Sequence, residues 1–362
     1  MSNKLEDARR VINEVDAEMA SLFVKRMRAA EAVYEYKREH GLPILDEKRE
    51  REVIDRNSSL VEDGVLRGYY VDYQKHLMSL SRAYQARLQS GLGVAYSGVE
   101  GAFAHVAAGR VFPTGRLLPY DDFKEAYDAV VLGESDVAIL PIENSYAGEV
   151  GQTVDLIFSG DLFINGIYEL SVKQNLLGIP GATVEGIRRV VSHPQALSQC
   201  RGYLERLGVV TEEATNTALA AKQVSEGNDP TVAAIASAET ASLYGLEILA
   251  ANVSESGENT TRFAVLSRTR ADEPSLSGTV LMFSVKHEAG SLAQAIAVIG
   301  RYGYSMTALR SRPMRKHSWQ YYFYVEIDGR VDGENGAAML RELGMLCDRL
   351  KVAGSFAPHT EL

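Results

Sequence analysis

From Leu5 onward the apolar residues recur at intervals of three and four: Ala8, Ile12, Val15, Met19, Leu22, Phe23, Met27, Ala30 and Val33. That spacing is one stripe of a long amphipathic helix, and Gly41 and Pro43 stop it. Asp46 opens a second helix running to about Leu60, and Val65 to Leu88 reads as a third. A first helix this long cannot bury its stripe inside a three-helix unit, so a second copy of the chain is its expected cover. Past Gly91-Leu92-Gly93 the period changes. Short apolar runs at 94–96, 137–141, 162–164, 176–179, 189–191 and 232–235 alternate with helical stretches. They predict α/β structure with strands buried on both faces. Residues 268–278 are polar, contain Pro274 and read as a linker. Beyond it a strand at 279–285, a helix from Gly290, strands at 305–312 and 319–327, a helix from about Asn335 and a strand at 351–356 spell βαββαβ.

That last order is the ferredoxin-like one, and the predicted domains are 1–90, 92–268 and 278–362. A chain of 362 residues is too long for one core, which agrees with this division. Charge sharpens the picture. The first ninety residues balance 16 basic against 16 acidic side chains, so the net charge of -10 comes entirely from residues 91–362. Such an acidic chain is not built to coat nucleic acid or an anionic membrane. Two cysteines, Cys200 and Cys347, make neither a disulfide scaffold nor a closed zinc site and suit a reducing compartment. No apolar run approaches a bilayer span, and the start is charged, so a cytoplasmic protein is expected.

In the helical segment, Arg26 and Lys37 are eleven residues apart, within about 20° of one helix face and about 16 Å along the axis. Two long cations so placed can close on a small anion from both ends. Arg9 lies seventeen residues before Arg26, roughly 25 Å away and about 100° around. To reach the same ligand it must come from a second copy. Asp46, Arg49 and Glu50 share a face of the second helix, and Ser81 and Gln85 a face of the third. Taken singly, each reads as a solvated surface charge. Taken in order, Arg9, Ile12, Asp16, Arg26, Lys37, Pro43, Asp46, Arg49-Glu50 and Ser81-xxx-Gln85 resemble the all-helical chorismate mutase family. The resemblance implies an intertwined dimer and a cofactor-free rearrangement of the dicarboxylate chorismate to prephenate. Catalysis then rests on conformational restriction and stabilisation of charge on the ether oxygen. It further implies that Arg9, Arg26 and Arg49 hold carboxylates. Ser81 completes the binding set, Lys37 and Gln85 donate to the ether oxygen, and Asp46 and Glu50 fix the ring hydroxyl and the lysine.

Residues 93–267 resemble prephenate dehydratase through Pro141-Ile142-Glu143-Asn144-Ser145, Ser192-His193-Pro194-Gln195 with Gln199-Cys200, Tyr244-Gly245-Leu246 and Thr260-Thr261-Arg262-Phe263. Each string alone reads as a turn, a cap or a strand residue. Four in family order imply two α/β lobes around a cleft, like a periplasmic binding protein. Prephenate would lose carbon dioxide and its ring hydroxyl to give phenylpyruvate. Hydroxide leaves poorly, so a donor is needed. The resemblance points to Thr261, with Glu143 or a water behind it, and to Asn144, Ser145, Gln195 and Arg262 as substrate contacts. The turn Gly98-Val99-Glu100-Gly101-Ala102-Phe103-Ala104 lacks two hydroxyls that the family carries there, but keeps glycines whose N–H groups can face an anion.

The βαββαβ unit resembles an ACT regulatory domain. His287-Glu288-Ala289-Gly290-Ser291-Leu292 and Leu309-Arg310-Ser311-Arg312-Pro313 match its phenylalanine-pocket stretches, with Arg310 where the family usually has Glu. Effector contacts are expected from Gly290, Ser291, Leu292, Arg310, Ser311, Arg312 and Pro313. The whole chain then reads as a bifunctional enzyme, a homodimer or larger homo-oligomer, needing no metal or other cofactor. A non-catalytic sensor of aromatic metabolites and an arogenate-preferring dehydratase are the alternatives.

Overall fold

A computed structural model of the chain describes residues 4–255, 259–314 and 320–362. Met1 and Trp319, expected at the starts of the first domain and of a strand, lie outside the described residues. The chain divides into two compact units, one ending at Gly93 and one beginning at Val94.

The first unit is three helices: α1 (Lys4–Glu39), α2 (Glu47–Ser58) and α3 (Gly64–Ser90). Asp46 accepts a hydrogen bond from the Arg49 N–H as N-cap of α2, and Asp63 caps α3 in the same way. Tyr34 is the one described residue of α1 that is buried. The predicted stripe is instead open, with Ile12 57% and Leu22 61% exposed. An apolar face of this extent needs a partner surface.

In the second unit the chain first builds a lobe from β1 (Gly93–Ser97), α4 (Phe103–Val111), β2 (Arg116–Tyr120), α5 (Phe123–Val131), β3 (Val137–Asn144), β4 (Gly148–Glu149), α6 (Gly151–Ser159) and β5 (Phe163–Ser171). It crosses to a second lobe of β6 (Asn175–Gly178), β7 (Arg189–Ser192), α7 (Pro194–Gln199), α8 (Arg201–Leu207), β8 (Val210–Glu213), α9 (Thr217–Gly227), β9 (Val232–Ala236), α10 (Ala238–Tyr244) and β10 (Glu247–Ala250). It then returns as β11 (Thr260–Ser267), which lies antiparallel between β3 and β5. The second lobe has its own sheet in the order β10-β6-β9-β7-β8, with Leu176, Leu177 and Ala234 fully buried. Strands covered on both faces explain the unbroken apolar runs.

The remaining elements are β12 (Gly278–Val285), α11 (Ser291–Arg301), β13 (Ser305–Pro313), β14 (Tyr321–Asp328), α12 (Glu334–Leu346), β15 (Cys347–Phe356) and β16 (Thr360–Glu361). Their sheet order, β13-β14-β12-β15, is the ferredoxin-like one. The polar linker does not isolate this unit. Gly354 on β15 pairs with Ile164 on β5, so the first-lobe sheet runs on into the ferredoxin-like sheet. Gly354 has φ +151°, and a Cβ there would lie 1.9 Å from the Ile164 carbonyl oxygen, so only glycine permits the join. Among the described residues no helix is long and apolar enough to cross a membrane.

Candidate active sites

The helical unit holds a cavity of about 460 Å³ lined by residues of all three helices. Arg26, Lys37, Asp46, Arg49, Glu50, Ser81 and Gln85 all border it. Arg9 is exposed and does not. Arg26 donates to the Ser81 hydroxyl and, at 3.6 Å, to the Met78 sulfur. Burial lowers its guanidinium pKa, against the opposing effect of Tyr73. Lys37 donates to the Ile44 carbonyl, which bends it toward the α2 entrance. Gln85 is buried, and its Oε1 has no hydrogen-bond partner.

One expectation changes here. Glu50 is not held against Lys37: both its oxygens accept from Arg82 at 2.5 Å, because α3 brings Arg82 over α2. Arg49 pairs along its own helix with Glu52 at 3.5 Å, an exposed contact that a dianionic ligand can displace. Arg82 and Arg56 also border the cavity, and the sequence pattern gave no sign of either. Arg82 directly follows Ser81, but helical spacing alone gives no reason to turn it inward.

Between the two lobes lies a second cavity, of about 390 Å³. Thr261, Asn144, Gln195 and His193 line it, as do Gln199 and two residues that no motif string contains, Asn259 and Gln174. His193 caps α7 by accepting the Gln195 N–H at 3.2 Å. Gln174 and Asn259 sit where the chain crosses between lobes, and they begin a line of buried amides. Gln174 Nε2 donates to Gln199 Oε1 at 3.4 Å, and Asn259 Nδ2 donates to the same oxygen at 3.1 Å. Asn144 Nδ2 donates to Asn259 Oδ1 at 2.8 Å and to Thr261 Oγ1 at 2.9 Å. The Asn144 Oδ1 is occupied by the N–H groups of Tyr146 and Ala147. With Nδ2 donating to it, the Thr261 oxygen is an acceptor toward Asn144, and its own proton is directed elsewhere.

Glu143 and Arg262 do not reach this cleft. On β3 and β11 they are the chain neighbours of Asn144 and Thr261, and strand alternation sends them through the sheet to the other face. There Arg262 forks onto Glu326 of β14 at 2.8 and 2.9 Å and donates to Glu143 at 3.1 Å. Glu143 therefore is not the group behind Thr261; Asn144 is. Ser145 also stands apart, its hydroxyl accepting the Thr260 N–H at 2.9 Å to close the strand end. The Gly98–Ala104 turn offers no free anion nest at Gly101, whose N–H donates to His105 Nδ1 at 3.2 Å. Gly101 has φ +88° and packs its Cα face on Leu243 and Ala218 of the other lobe, which is why glycine is required.

The expected effector stretches separate by the same alternation. A cavity of about 330 Å³ is lined by Lys286, His287, Glu288, Ala289, Leu292 and the aromatic rings of Tyr321 and Phe323. Gly290, at φ +85°, is the N-cap of α11 beside it, and Ser291 begins the helix. Ser311 and Pro313 stand opposite Phe323 and Tyr321 and share their face. Arg310 and Arg312 pair with Tyr324 and Tyr322 and face the dehydratase-like lobe instead. Arg312 grips Asp155 at 3.1 Å and Glu149 at 3.0 Å. Neither arginine is an effector contact in this arrangement.

A family model of chorismate mutase type II matches residues 8–86, and one of prephenate dehydratase matches 94–271. A bifunctional chorismate mutase/prephenate dehydratase of Aquifex aeolicus is 31% identical over 359 residues, covering 98% of each chain. The chain belongs to this bifunctional family. An arogenate dehydratase/prephenate dehydratase of Arabidopsis thaliana is 37% identical over 75% of this chain and 74% of its own. Among solved structures, the quorum-quenching acylase GqqA is 34% identical with TM-score 0.67, over 73% of this chain and 97% of its own. The prephenate dehydratase of Arthrobacter aurescens in complex with L-Phe is 26% identical with TM-score 0.67, over 73% of this chain and 89% of its own. This bifunctional enzyme therefore carries chorismate mutase and prephenate dehydratase in one chain, which sets aside the non-catalytic sensor.

Proposed function

We propose that the helical cavity performs the rearrangement with Arg26 and Arg49 on the carboxylates, and Arg9 supplied by a second copy through the open α1 stripe. Lys37 and Gln85 donate to the ether oxygen as the C–O bond lengthens, a charge that exists only in the transition state. Arg82 holds Glu50 in place through both its oxygens, and Ser81 fixes Arg26. Asp46, besides capping α2, faces the cavity where a ring hydroxyl would sit.

The product then enters the interlobe cleft. Cleavage of the ring–carboxylate bond releases carbon dioxide, and its electron pair aromatises the ring while the opposite C–O bond breaks. The departing hydroxide takes a proton that comes from solvent water, any proton passed on by the Thr261 hydroxyl being replaced from the same source, and leaves as water. Thr261 donates its hydroxyl to that oxygen, and the single observation supporting this is the Asn144 amide behind it. The Gln195 side chain, which lines the cleft, meets the acidic end of the substrate. The keto acid prephenate is the favoured substrate over its amino analogue, since the mutase in the same chain delivers it. Phenylalanine is the proposed effector, its carboxylate at the Gly290–Ser291 helix start and its ring near Leu292 and Phe323, and the enzyme is taken to act in the cytoplasm.

The test measures chorismate loss and phenylpyruvate formation separately. Arg26→Ala should leave chorismate unconsumed while still dehydrating supplied prephenate. Thr261→Val should consume chorismate normally and accumulate prephenate. Phenylpyruvate from Thr261→Val at the parent rate overturns the assignment of the donor.

A further inference from the structure

The face of the sheet behind Thr261 carries a cluster of charges that the dehydration chemistry does not use. Arg262 and Glu143 stand opposite each other on β11 and β3, and Glu169 on β5 is 3.7 Å from Arg262 Nε. The ferredoxin-like sheet supplies the rest. Glu326 takes the Arg262 fork, while Arg310 of β13 donates to Glu143 at 2.6 Å and lies 3.6 Å from Glu326. Tyr324 donates to Glu326 at 2.8 Å, and its ring lies under the Arg310 guanidinium. Glu326 and Tyr324 are only 3% and 1% exposed. A charge so desolvated gains little net stability over an apolar packing, but a two-pronged guanidinium–carboxylate contact fixes geometry tightly.

What it fixes is the ladder that ends at the candidate catalytic pair. Arg262 follows Thr261 in the chain and Glu143 precedes Asn144, so each clamped residue is bonded to a cleft residue on the opposite face. The β3–β11 register is irregular at this point: Arg262 faces Glu143, but Phe263 faces Pro141, leaving Ile142 over as a bulge. A bulge loosens the ladder just where the Asn144–Thr261 hydrogen bond must be held. We propose that Arg310 and Glu326 are positioning residues for dehydration, clamping Glu143 and Arg262 so that Asn144 meets Thr261 at hydrogen-bond distance. The ferredoxin-like domain thereby takes part in the catalytic step whether or not an effector is bound. This rests on the reading of Thr261 as the donor.

Because misplacement by about 1 Å can cost about a hundredfold in rate, Arg310→Ala is expected to lower kcat on prephenate by about tenfold to a hundredfold. KM should stay within about twofold, since the cleft contacts remain. Arg310→Lys, which restores the charge on Glu143, should recover most of kcat, and the near-isosteric Glu326→Gln should behave like Arg310→Ala. Chorismate consumption should be unchanged in all three. Parent kcat in both Arg310→Ala and Glu326→Gln overturns the proposal, as does a loss appearing in KM alone or a loss that Arg310→Lys fails to reverse. Thr261→Val is run in parallel. If it too keeps the parent rate, the donor assignment itself has failed; if it abolishes dehydration while the clamp variants do not, only the clamp is wrong.

Discussion

Replacing Asn144 by Asp exchanges one NH2 for an oxygen and leaves the shape of the side chain unchanged. The oxygen that accepts the Tyr146 and Ala147 N–H groups at 3.0 and 2.8 Å is kept, so the turn after β3 should persist. The donor is lost. In the parent it reaches Asn259 at 2.8 Å and Thr261 at 2.9 Å, with the Thr260 carbonyl at a weaker 3.3 Å. Losing two good bonds at about 1 kcal/mol each predicts destabilisation by about 2 kcal/mol, partly relieved as the Thr261 hydroxyl turns to donate to the new carboxylate. That turn is the point of the experiment. A hydroxyl donating to a carboxylate behind it no longer donates to a leaving oxygen in front. Removing one preorganised donor costs about a hundredfold to a thousandfold in kcat, or about 3–4 kcal/mol of transition-state stabilisation. Phenylpyruvate formation from supplied prephenate reads this directly, and chorismate consumption by the same sample reports the activity of the helical unit. A variant that dehydrates prephenate within about threefold of the parent rate would show that the Asn144 donor does not orient Thr261.

Two half-buried polar groups outside the sites give further expected outcomes. Lys351 of β15 donates to the carbonyls of Ile157, Gly160 and Leu162, and burial pulls its pKa down to about 8. Lys351→Met leaves three carbonyls unpaired where β15 meets the end of α6, and should lower stability to urea by about 2 kcal/mol; an unchanged midpoint would contradict the role. His105 must be neutral at Nδ1 to accept the Gly101 N–H, and burial holds its pKa below 6.5 despite Glu100. The unfolded chain then takes up this proton first, so its contribution is present above pH 6.5 and is lost as pH falls through the folded-state value. His105→Leu should flatten the fall in urea midpoint from about pH 7 to pH 5 relative to the parent.

Much of this protein is local and therefore readable along the chain. The three-and-four spacing of α1, the caps at Asp46 and Asp63, the apolar runs of the strands and the βαββαβ order each depend on residues close in sequence. So does the alternation that puts Thr261 and Asn144 on one face and Arg262 and Glu143 on the other. Which face meets the cleft is not local. It depends on β11 lying between β3 and β5 after an excursion through an entire second lobe, and on the ferredoxin-like sheet joining at Gly354. The motif strings put Glu143, Arg262, Arg310 and Arg312 beside ligands, whereas packing turned them toward one another. Arg82 and Asn259 were invisible for the same reason: a side chain's partner across a sheet or between helices is set by distant segments. Sequence by itself settled the elements and the order of their chemistry. Tertiary structure decided which side of each strand faces substrate, because period-two alternation offers both faces equally until another layer covers one of them.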